Sequence, residues 1–169
     1  MVAGRRIDTV PAAQAQRLEV RRRSLDDSLW ALLDSVKDPE VPVLSLWELG
    51  VLQDVYHDGP RVVVVITPTY SGCPAMHAME QDLRDRLTGA GCPDVVIVRR
   101  LTPAWTTDWL SPEARLALRT YGIAPPGPIR CPQCGSAHAT LISQFGSTAC
   151  KALYRCGDCD EPFDYFKAI

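Results

Sequence analysis

Two Cys-x-x-Cys motifs near the end of the chain limit its possible folds more than any other feature of the sequence. The motifs are Cys131-Pro132-Gln133-Cys134 and Cys156-Gly157-Asp158-Cys159, and the 21 residues 135–155 separate them. This spacing is typical of sites where two tight turns bring four thiolates around one tetrahedral ion. We therefore expect one structural zinc ion, with Cys131, Cys134, Cys156 and Cys159 as its ligands. Four sulfurs also suit iron in a rubredoxin-like site, and the spacing does not choose between the two metals.

The segment that carries these motifs, residues 131–169, is predicted to be a three-stranded zinc ribbon. A unit of about 40 residues buries too little apolar surface to fold comfortably alone, and a bound metal supplies folding free energy on the order of 10 kcal/mol. Side chains alternate as in strands over 139–145 and 151–155, and residues 163–166 offer the third strand. Asp160 stands where such a turn often has glycine, which loosens the second turn without removing a ligand.

A fifth cysteine of the ribbon, Cys150, has two open interpretations. It lies in the segment Gly146-Ser147-Thr148-Ala149-Cys150-Lys151, outside both motifs. It is either an ordinary half-buried thiol on a strand or an extra thiol that faces a partner or serves as an exchangeable ligand.

The preceding residues, 24–123, are predicted to form a small α/β domain. Ser24 resembles a helix N-cap, and apolar residues from Leu25 to Val36 recur at helical spacing until Asp38-Pro39 ends the helix near Lys37. Segments 51–57 and 61–67 then read as a β-hairpin, followed by a helix over 74–87, a strand over 94–101 and a helix that ends at Tyr121. A strand, helix, strand passage of this length favours a right-handed crossover between parallel strands.

Two further segments flank this domain. Residues 1–23 are rich in Ala, Gln and Arg with little apolar periodicity, which predicts a tail or a frayed helix of little function. Its basic cluster, Arg17 and Arg21 to Arg23, is interpreted as a solvated face. Residues 124–130 form a Pro-rich linker between the two units.

Composition excludes several classes of function. The chain has 169 residues, a net charge of -2 and a pI of about 5.9, so it lacks the basic field that drives nucleic-acid binding. No window is apolar enough for a membrane span, and the N-terminus lacks the apolar block of a signal peptide. We expect a cytoplasmic protein that binds neither membrane nor nucleic acid. In that reducing compartment, paired cysteines favour metal binding over disulfides.

Cys73 is the second candidate site. It precedes Pro74 in the loop Thr67–Pro74, between a buried strand and a helix. Unpaired amides at a helix N-terminus stabilise a thiolate, so this position predicts a lowered pKa and either a nucleophile or a soft-metal ligand. A cysteine that merely lies near a helix cap is the alternative. His77 is placed one turn later, where a Cys–His pair is geometrically possible, although a solvated histidine is the simpler interpretation.

Three segments resemble the MIP18 family, also called domain of unknown function 59. These are Asp38-Pro39-Glu40-Val41-Pro42, Leu49-Gly50-Val51-Leu52 and the Thr67–Pro74 loop. The segments 105–109 and 121–126 and the appended ribbon narrow the resemblance to the PaaD family, whose members are encoded with the phenylacetyl-CoA epoxidase system of aerobic phenylacetate degradation. The resemblance covers residues 25–169.

The resemblance implies a maturation role rather than an enzyme with its own active site. Members of the MIP18 family are thought to assist the loading or repair of metal centres, here in the di-iron oxygenase and the iron–sulfur reductase of the epoxidase. Cys73 matches the family's loop cysteine and Asp38 and Glu40 match its acidic motif, with Thr67 as possible support. Iron or an iron–sulfur cluster would be a transient cargo, and two copies of the chain could supply two Cys73 ligands across a homodimer.

A second hypothesis is a non-catalytic structural or regulatory subunit of the epoxidase. Such a component would dock through the ribbon and through Trp105 and Trp109. The alternative for the two tryptophans is that they pack between the last strand and the last helix of the domain.

Overall fold

The computed structural model describes residues 11–24 and 26–168 of the chain. Five α-helices, one 3-10 turn and seven strands lie in this part. The helices are α1 (Ala12–Arg23), α2 (Asp27–Leu33), α3 (Leu46–Leu49), α4 (Met76–Gly89) and α5 (Pro112–Tyr121), with the 3-10 turn at Thr107–Trp109. The strands are β1 (Leu52–Asp58), β2 (Arg61–Ile66), β3 (Val95–Arg99), β4 (Ile123–Ala124), β5 (Ala139–Ser143), β6 (Lys151–Cys156) and β7 (Pro162–Phe166).

The first sheet has the order β1-β2-β3, with β1 antiparallel to β2 and β2 parallel to β3. The predicted hairpin and the predicted parallel neighbour are therefore confirmed. β2 is central and buried along Val62–Ile66, which explains why its sequence is a continuous apolar run instead of an alternating one. Helix α4 crosses from β2 to β3 and buries Met76, Met79, Leu83 and Leu87.

The helix before this sheet is shorter than the sequence predicts. Leu25 lies outside the described residues, and Asp26 caps α2, with its side chain accepting a hydrogen bond from the Leu29 amide. Ser24 instead ends α1. Helix α2 ends at Leu33 with Asp34 as its C-cap, and the chain then enters an antiparallel bridge between Lys37 and Ser45.

Residues 12–23 form a docked helix, which differs from the predicted tail. Arg17 is only 6% exposed, and its guanidinium donates to the carbonyl oxygens of Trp109, Trp47 and Leu52. The guanidinium carbon also lies 4.1 Å from the ring centroid of Trp47, a cation–π distance. Burial, and then the charge of Arg21, lower the pKa of Arg17 to about 10. The helix is thus anchored by a buried cation, whereas Arg22 and Arg23 are solvated as predicted.

The ribbon forms a second sheet of order β4-β7-β6-β5. The three predicted strands are present as β5, β6 and β7, paired antiparallel. A short fourth strand, β4, pairs parallel to β7 and comes from the segment that the sequence assigns to the end of the first domain and the linker. The Tyr165 hydroxyl also forms two hydrogen bonds with the backbone of Gly127: it accepts from the amide and donates to the carbonyl oxygen. The Pro-rich segment therefore lies against the ribbon and is not a free spacer.

The two sheets share one apolar core. Cys150 and Phe166 of the ribbon belong to the same buried cluster as the side chains of the first sheet and its helices. The ring of Phe166 lies 6.0 Å from that of Trp105. Trp105 and Trp109 are both buried, and Trp105 donates its indole N–H to the carbonyl of Leu49. The prediction that a partner docks through these two tryptophans is therefore wrong, because both side chains already pack inside the molecule.

No helix in residues 11–24 and 26–168 combines the length and the apolar character that a membrane span requires.

Candidate metal centre and thiol site

The four ribbon cysteines converge on one point. Their sulfur atoms all lie within 4.8 Å of one another, and no other group of three or more possible ligands in the described chain meets that criterion. The Cys131 and Cys159 sulfurs are 3.7 Å apart, and those of Cys134 and Cys156 are 3.5 Å apart. Sulfurs on a tetrahedral zinc ion with Zn–S bonds of about 2.3 Å are separated by about 3.8 Å. The residues present therefore fit a four-thiolate ion.

Tight turns aim these thiols. Gly135, after the first motif, has φ of 78°, and Asp160, after the second, has φ of 60°. Asp160 thus adopts the left-handed conformation for which glycine is usual, so the second turn forms without the glycine. Backbone N–H groups of Cys159 and Asp158 donate to Cys156 and lower the pKa of its thiol to about 6. Such donors favour the thiolate that a metal requires.

Polar side chains tie the two turns to each other. Oδ2 of Asp158 accepts a hydrogen bond from the Ser136 hydroxyl, and its Oδ1 lies 3.0 Å from Nδ1 of His138. Ser136 and then His138 lower the pKa of Asp158, which keeps the carboxylate charged. Ser136 and His138 follow the first pair of ligands, whereas Asp158 lies between the second pair. The bridge therefore holds the two halves of the site in register.

Cys73 lies in the loop that follows the central strand β2, as predicted, but its environment is the reverse of the predicted one. Helix α4 begins at Met76, after a turn at Pro74 and Ala75, so Cys73 is not at the first turn of the helix. The thiol is 9% exposed, and burial raises its pKa in spite of a hydrogen bond from the Ala75 backbone. The negative charges of Glu40 and Asp38 raise it further. The expectation of a lowered pKa is wrong because desolvation outweighs the amides.

Asp38 and Glu40 form one turn beside this thiol. Asp38 is 2% exposed, and its Oδ1 accepts hydrogen bonds from the amides of Glu40 at 2.8 Å and Val41 at 2.7 Å. Burial raises the pKa of Asp38, and these two amides partly offset that effect. Asp38 therefore has a structural role, since it fixes the backbone from which the half-buried side chain of Glu40 extends.

Cys150 faces the first unit. Its sulfur lies 3.0 Å from Oγ1 of Thr148 and 3.9 Å from Oε2 of Glu40. The next residue, Lys151, is also buried and donates from Nζ to the backbone carbonyl of Glu40 at 3.3 Å. Burial raises the pKa of Cys150. The thiol is thus neither half-buried nor exposed on the ribbon but lies at the junction of the two units, where Cys73 interacts electrostatically with it.

Two other residues that the sequence singles out are Thr67 and His77. Thr67 is buried, and its Oγ1 has no hydrogen-bond partner within residues 11–24 and 26–168. His77 is exposed on α4, which agrees with the solvated alternative.

Sequence reasoning missed two contributions to the thiol site. The amide of Cys73 donates to the backbone carbonyl of Tyr70, and burial, followed by the charges of Cys73, Glu40 and Cys150, raises the pKa of the Tyr70 hydroxyl to about 12. Lys151 reads in the sequence only as one of the bases of the ribbon. Its place directly after Cys150 was a visible signal, because a cation next to a thiol stabilises the thiolate.

Both units of the chain match known protein families. Residues 26–98 match the family model described as iron-sulfur cluster assembly protein, and residues 120–167 match the PaaD zinc beta ribbon domain. Over 151 residues the chain is 52% identical to an Escherichia coli K12 protein that is provisionally named as one of the subunits of 1,2-phenylacetyl-CoA epoxidase. The match covers 83% of this chain and 92% of that protein. The chain belongs to the PaaD family.

This member of the PaaD family thus combines two units with separate family matches. The first unit is similar to a domain of unknown function 59 from Bacillus anthracis, with a TM-score of 0.51 and 27% identity. That similarity covers 55% of this chain and 90% of the solved one. The PaaD ribbon model begins at residue 120, so it includes β4 as well as the four clustered cysteines.

Proposed function

We propose that this chain is an accessory maturation factor of the multicomponent phenylacetyl-CoA epoxidase. In this role it assists iron–sulfur or di-iron centre assembly in the oxygenase and reductase subunits. The observation that carries the proposal is the buried thiol of Cys73, in the loop after β2 and inside the segment that matches the iron-sulfur cluster assembly family. Asp38 and Thr67 would support this site, and we propose that it acts in the cytoplasm without an active site of its own.

The chemistry of the two thiol sites supports a division of labour. A closed set of four thiolates holds a divalent ion tightly, so the ribbon would keep a structural zinc. Cys73 is buried, has a raised pKa and lacks three sulfur neighbours, so it would bind iron more weakly and release it to a client. Iron is the cargo in this scheme, whereas zinc is the resident metal.

The proposal is tested by co-producing the epoxidase subunits with this chain in cells that lack their own copy. Iron and sulfide contents of the purified oxygenase and reductase are measured with the wild type, with C73S and with C92S. Cys92 lies between α4 and β3 and provides the matched thiol control. We expect C73S to lower client metal content severalfold and C92S to leave it unchanged. Equal client loading with C73S and the wild type would sink the proposal.

A second candidate is a non-catalytic structural or regulatory subunit, and one surface favours it. Strand β5 is at the edge of the ribbon sheet, and Leu141, Ile142 and Phe145 are exposed on and after it, Phe145 by 67%. An exposed apolar edge is suited to docking on another protein. This function predicts stable co-purification with the oxygenase that an F145S variant abolishes and that C73S does not affect.

A further inference from the structure

We propose that a cavity between α1, the start of β1 and residues 100–109 binds a small carboxylate with a flat apolar body, the class to which arylacetates belong. The inference goes beyond the proposed function and does not depend on it. The cavity has a volume of about 290 Å³, the space of roughly ten water molecules. This volume is near the lower end of the range for ligand pockets, so the ligand would be small.

Positive charge exceeds negative charge in the cavity wall. Arg17 and Arg100 line it, whereas Asp54 is the one carboxylate among the described residues that do so. Arg17 is buried, and the acceptors of its hydrogen bonds in residues 11–24 and 26–168 are backbone carbonyls. Its Nε–H has no acceptor in that part of the chain. A buried cation without a carboxylate partner carries a desolvation cost, which a bound anion would reduce.

Arg100 supplies the second positive charge. Its backbone is fixed, because its amide donates to the Ile66 carbonyl at 2.8 Å, and the residue is exposed, so its side chain can turn toward a ligand. Oδ1 of Asp54 accepts a hydrogen bond from the Val55 amide at 2.9 Å. Burial raises the pKa of Asp54, and the Val55 amide and then Arg100 partly offset that effect. With one carboxylate against two cations, one positive charge remains for a bound anion.

The rest of the wall is largely apolar. Trp109 is buried, and its ring centroid lies 5.9 Å from the guanidinium carbon of Arg17. An aromatic ring that packs on Trp109 would therefore place an attached carboxylate near a guanidinium group. The remaining apolar residues of this surface are Ala13, Val20, Pro103 and Ala104. A molecule with only a charge, or only a ring, would satisfy half of the cavity.

A second cavity also borders Arg17 but suits a different charge. Its volume is about 470 Å³, and Glu48 and Glu113 line it together with Trp47 and Trp109. Two carboxylates against one guanidinium disfavour an anion. The smaller cavity is therefore the one that suits a carboxylate.

A ligand in the smaller cavity would strengthen contacts that already hold α1 in place. Arg17 links α1 to the carbonyl groups of Leu52 and Trp109, which belong to the two other elements of the wall. A bound carboxylate would add contacts among the same three elements. Binding should therefore raise the thermal stability of the folded chain as the ligand concentration increases.

The test is isothermal titration calorimetry of the full zinc-loaded chain with phenylacetate, whose ring and carboxylate match the two halves of the cavity. Phenylacetamide removes the charge of this probe, and acetate removes its ring. We expect one phenylacetate per chain. Either analogue should bind at least about tenfold more weakly, because each lacks the charged hydrogen bonds or the ring packing.

Three substitutions locate the site. R100Q should weaken phenylacetate binding at least about tenfold, whereas D54N should strengthen it severalfold because it removes a like charge. R99Q is the matched control and should leave binding unchanged, since Arg99 is paired with Glu80 and is not among the described residues that line the cavity. Thermal unfolding without ligand establishes that each variant is folded.

Four results would overturn the site. They are no binding at millimolar phenylacetate, equal binding of phenylacetamide, weaker binding by folded D54N, and an affinity of folded R100Q equal to that of R99Q. The last result would show that charge on this part of the surface acts without a specific contact.

Discussion

The sulfur of Cys150 lies 3.9 Å from Oε2 of Glu40, although 110 positions separate the two residues in the chain. This contact joins the ribbon to the turn that Asp38 holds in the first unit. Together with the packing of Phe166 on Trp105, it makes the junction part of the apolar core instead of a hinge between two independent modules. A change in the ribbon should therefore also affect the first unit.

Removal of the ribbon metal is expected to loosen part of the first unit. Without an ion on its four thiols, the ribbon would lose the folding free energy that a metal supplies, and Phe166 would no longer cover Trp105. Hydrogen exchange with chelator should therefore show faster exchange in β6, in β7 and around Trp105, whereas β1 and β2 stay protected. Re-addition of zinc should restore the slow exchange. Faster exchange confined to the two cysteine turns would contradict the shared core.

Arg17 is expected to be a major source of stability for the N-terminal helix. R17A removes hydrogen bonds to three carbonyl groups and the stacking on Trp47, so the free energy of unfolding should fall by on the order of 3 kcal/mol in urea titrations. R17K keeps the charge but not the planar fork and should rescue little of this loss. R22A, at an exposed ion pair on the same helix, is the control and should change little. Equal effects of R17A and R22A would show that α1 is not anchored in this way.

Gly50 is expected to tolerate no side chain. Its φ is +87°, and an added Cβ would lie 3.0 Å from Cβ of Trp109 and 3.1 Å from Nε1 of Trp105. G50A should destabilise the fold by about 2–4 kcal/mol, since strain and overpacking add. G122A is matched in conformation, with φ of +100° and open space around the added carbon, and should cost only about 1 kcal/mol. Thermal unfolding that ranks the two variants in the opposite order would refute the close packing at Gly50.

Cys73 is expected to react slowly with alkylating reagents. Its pKa is raised by burial, so the thiol is protonated at neutral pH, and its thiolate fraction grows only as pH rises beyond the ordinary cysteine range. At pH 7.5, iodoacetamide labelling of Cys73 in the folded zinc-loaded chain should be at least about tenfold slower than in the urea-unfolded chain. Mass spectrometry of the peptide gives both rates, and faster labelling in the folded chain would contradict the burial of this thiol.

Local patterns in the sequence predicted the elements that form through interactions between residues close together in the chain. The apolar run of β2, the Asp58-Gly59-Pro60 turn and the spacing of the ribbon cysteines each carry their own signal, and the structure contains the corresponding elements. Ser24 and Asp26 are equally good caps two residues apart, so the choice between them rests on the packing of α1 and α2. No local pattern distinguishes the buried Arg17 from the solvated Arg22.

The candidate site illustrates the same limit. Cys73, Asp38 and Glu40 were recognisable from their motifs, but the raised pKa of Cys73 depends on its burial in the assembled core. The position of Cys150 opposite Glu40 depends on how the ribbon packs on the first unit, which neither motif encodes. Contacts of this range follow only from the assembled core.

The most direct test of the proposed maturation role is transfer of iron between purified components. The full chain is loaded with Fe(II) under anaerobic conditions and mixed with the reductase of the epoxidase from which the cluster has been removed, in the presence of sulfide and reductant. We predict that the wild type speeds recovery of cluster absorption and reductase activity over free Fe(II), and that C73S does not. Recovery at the same rate with the wild type, with C73S and with free Fe(II) would contradict this role.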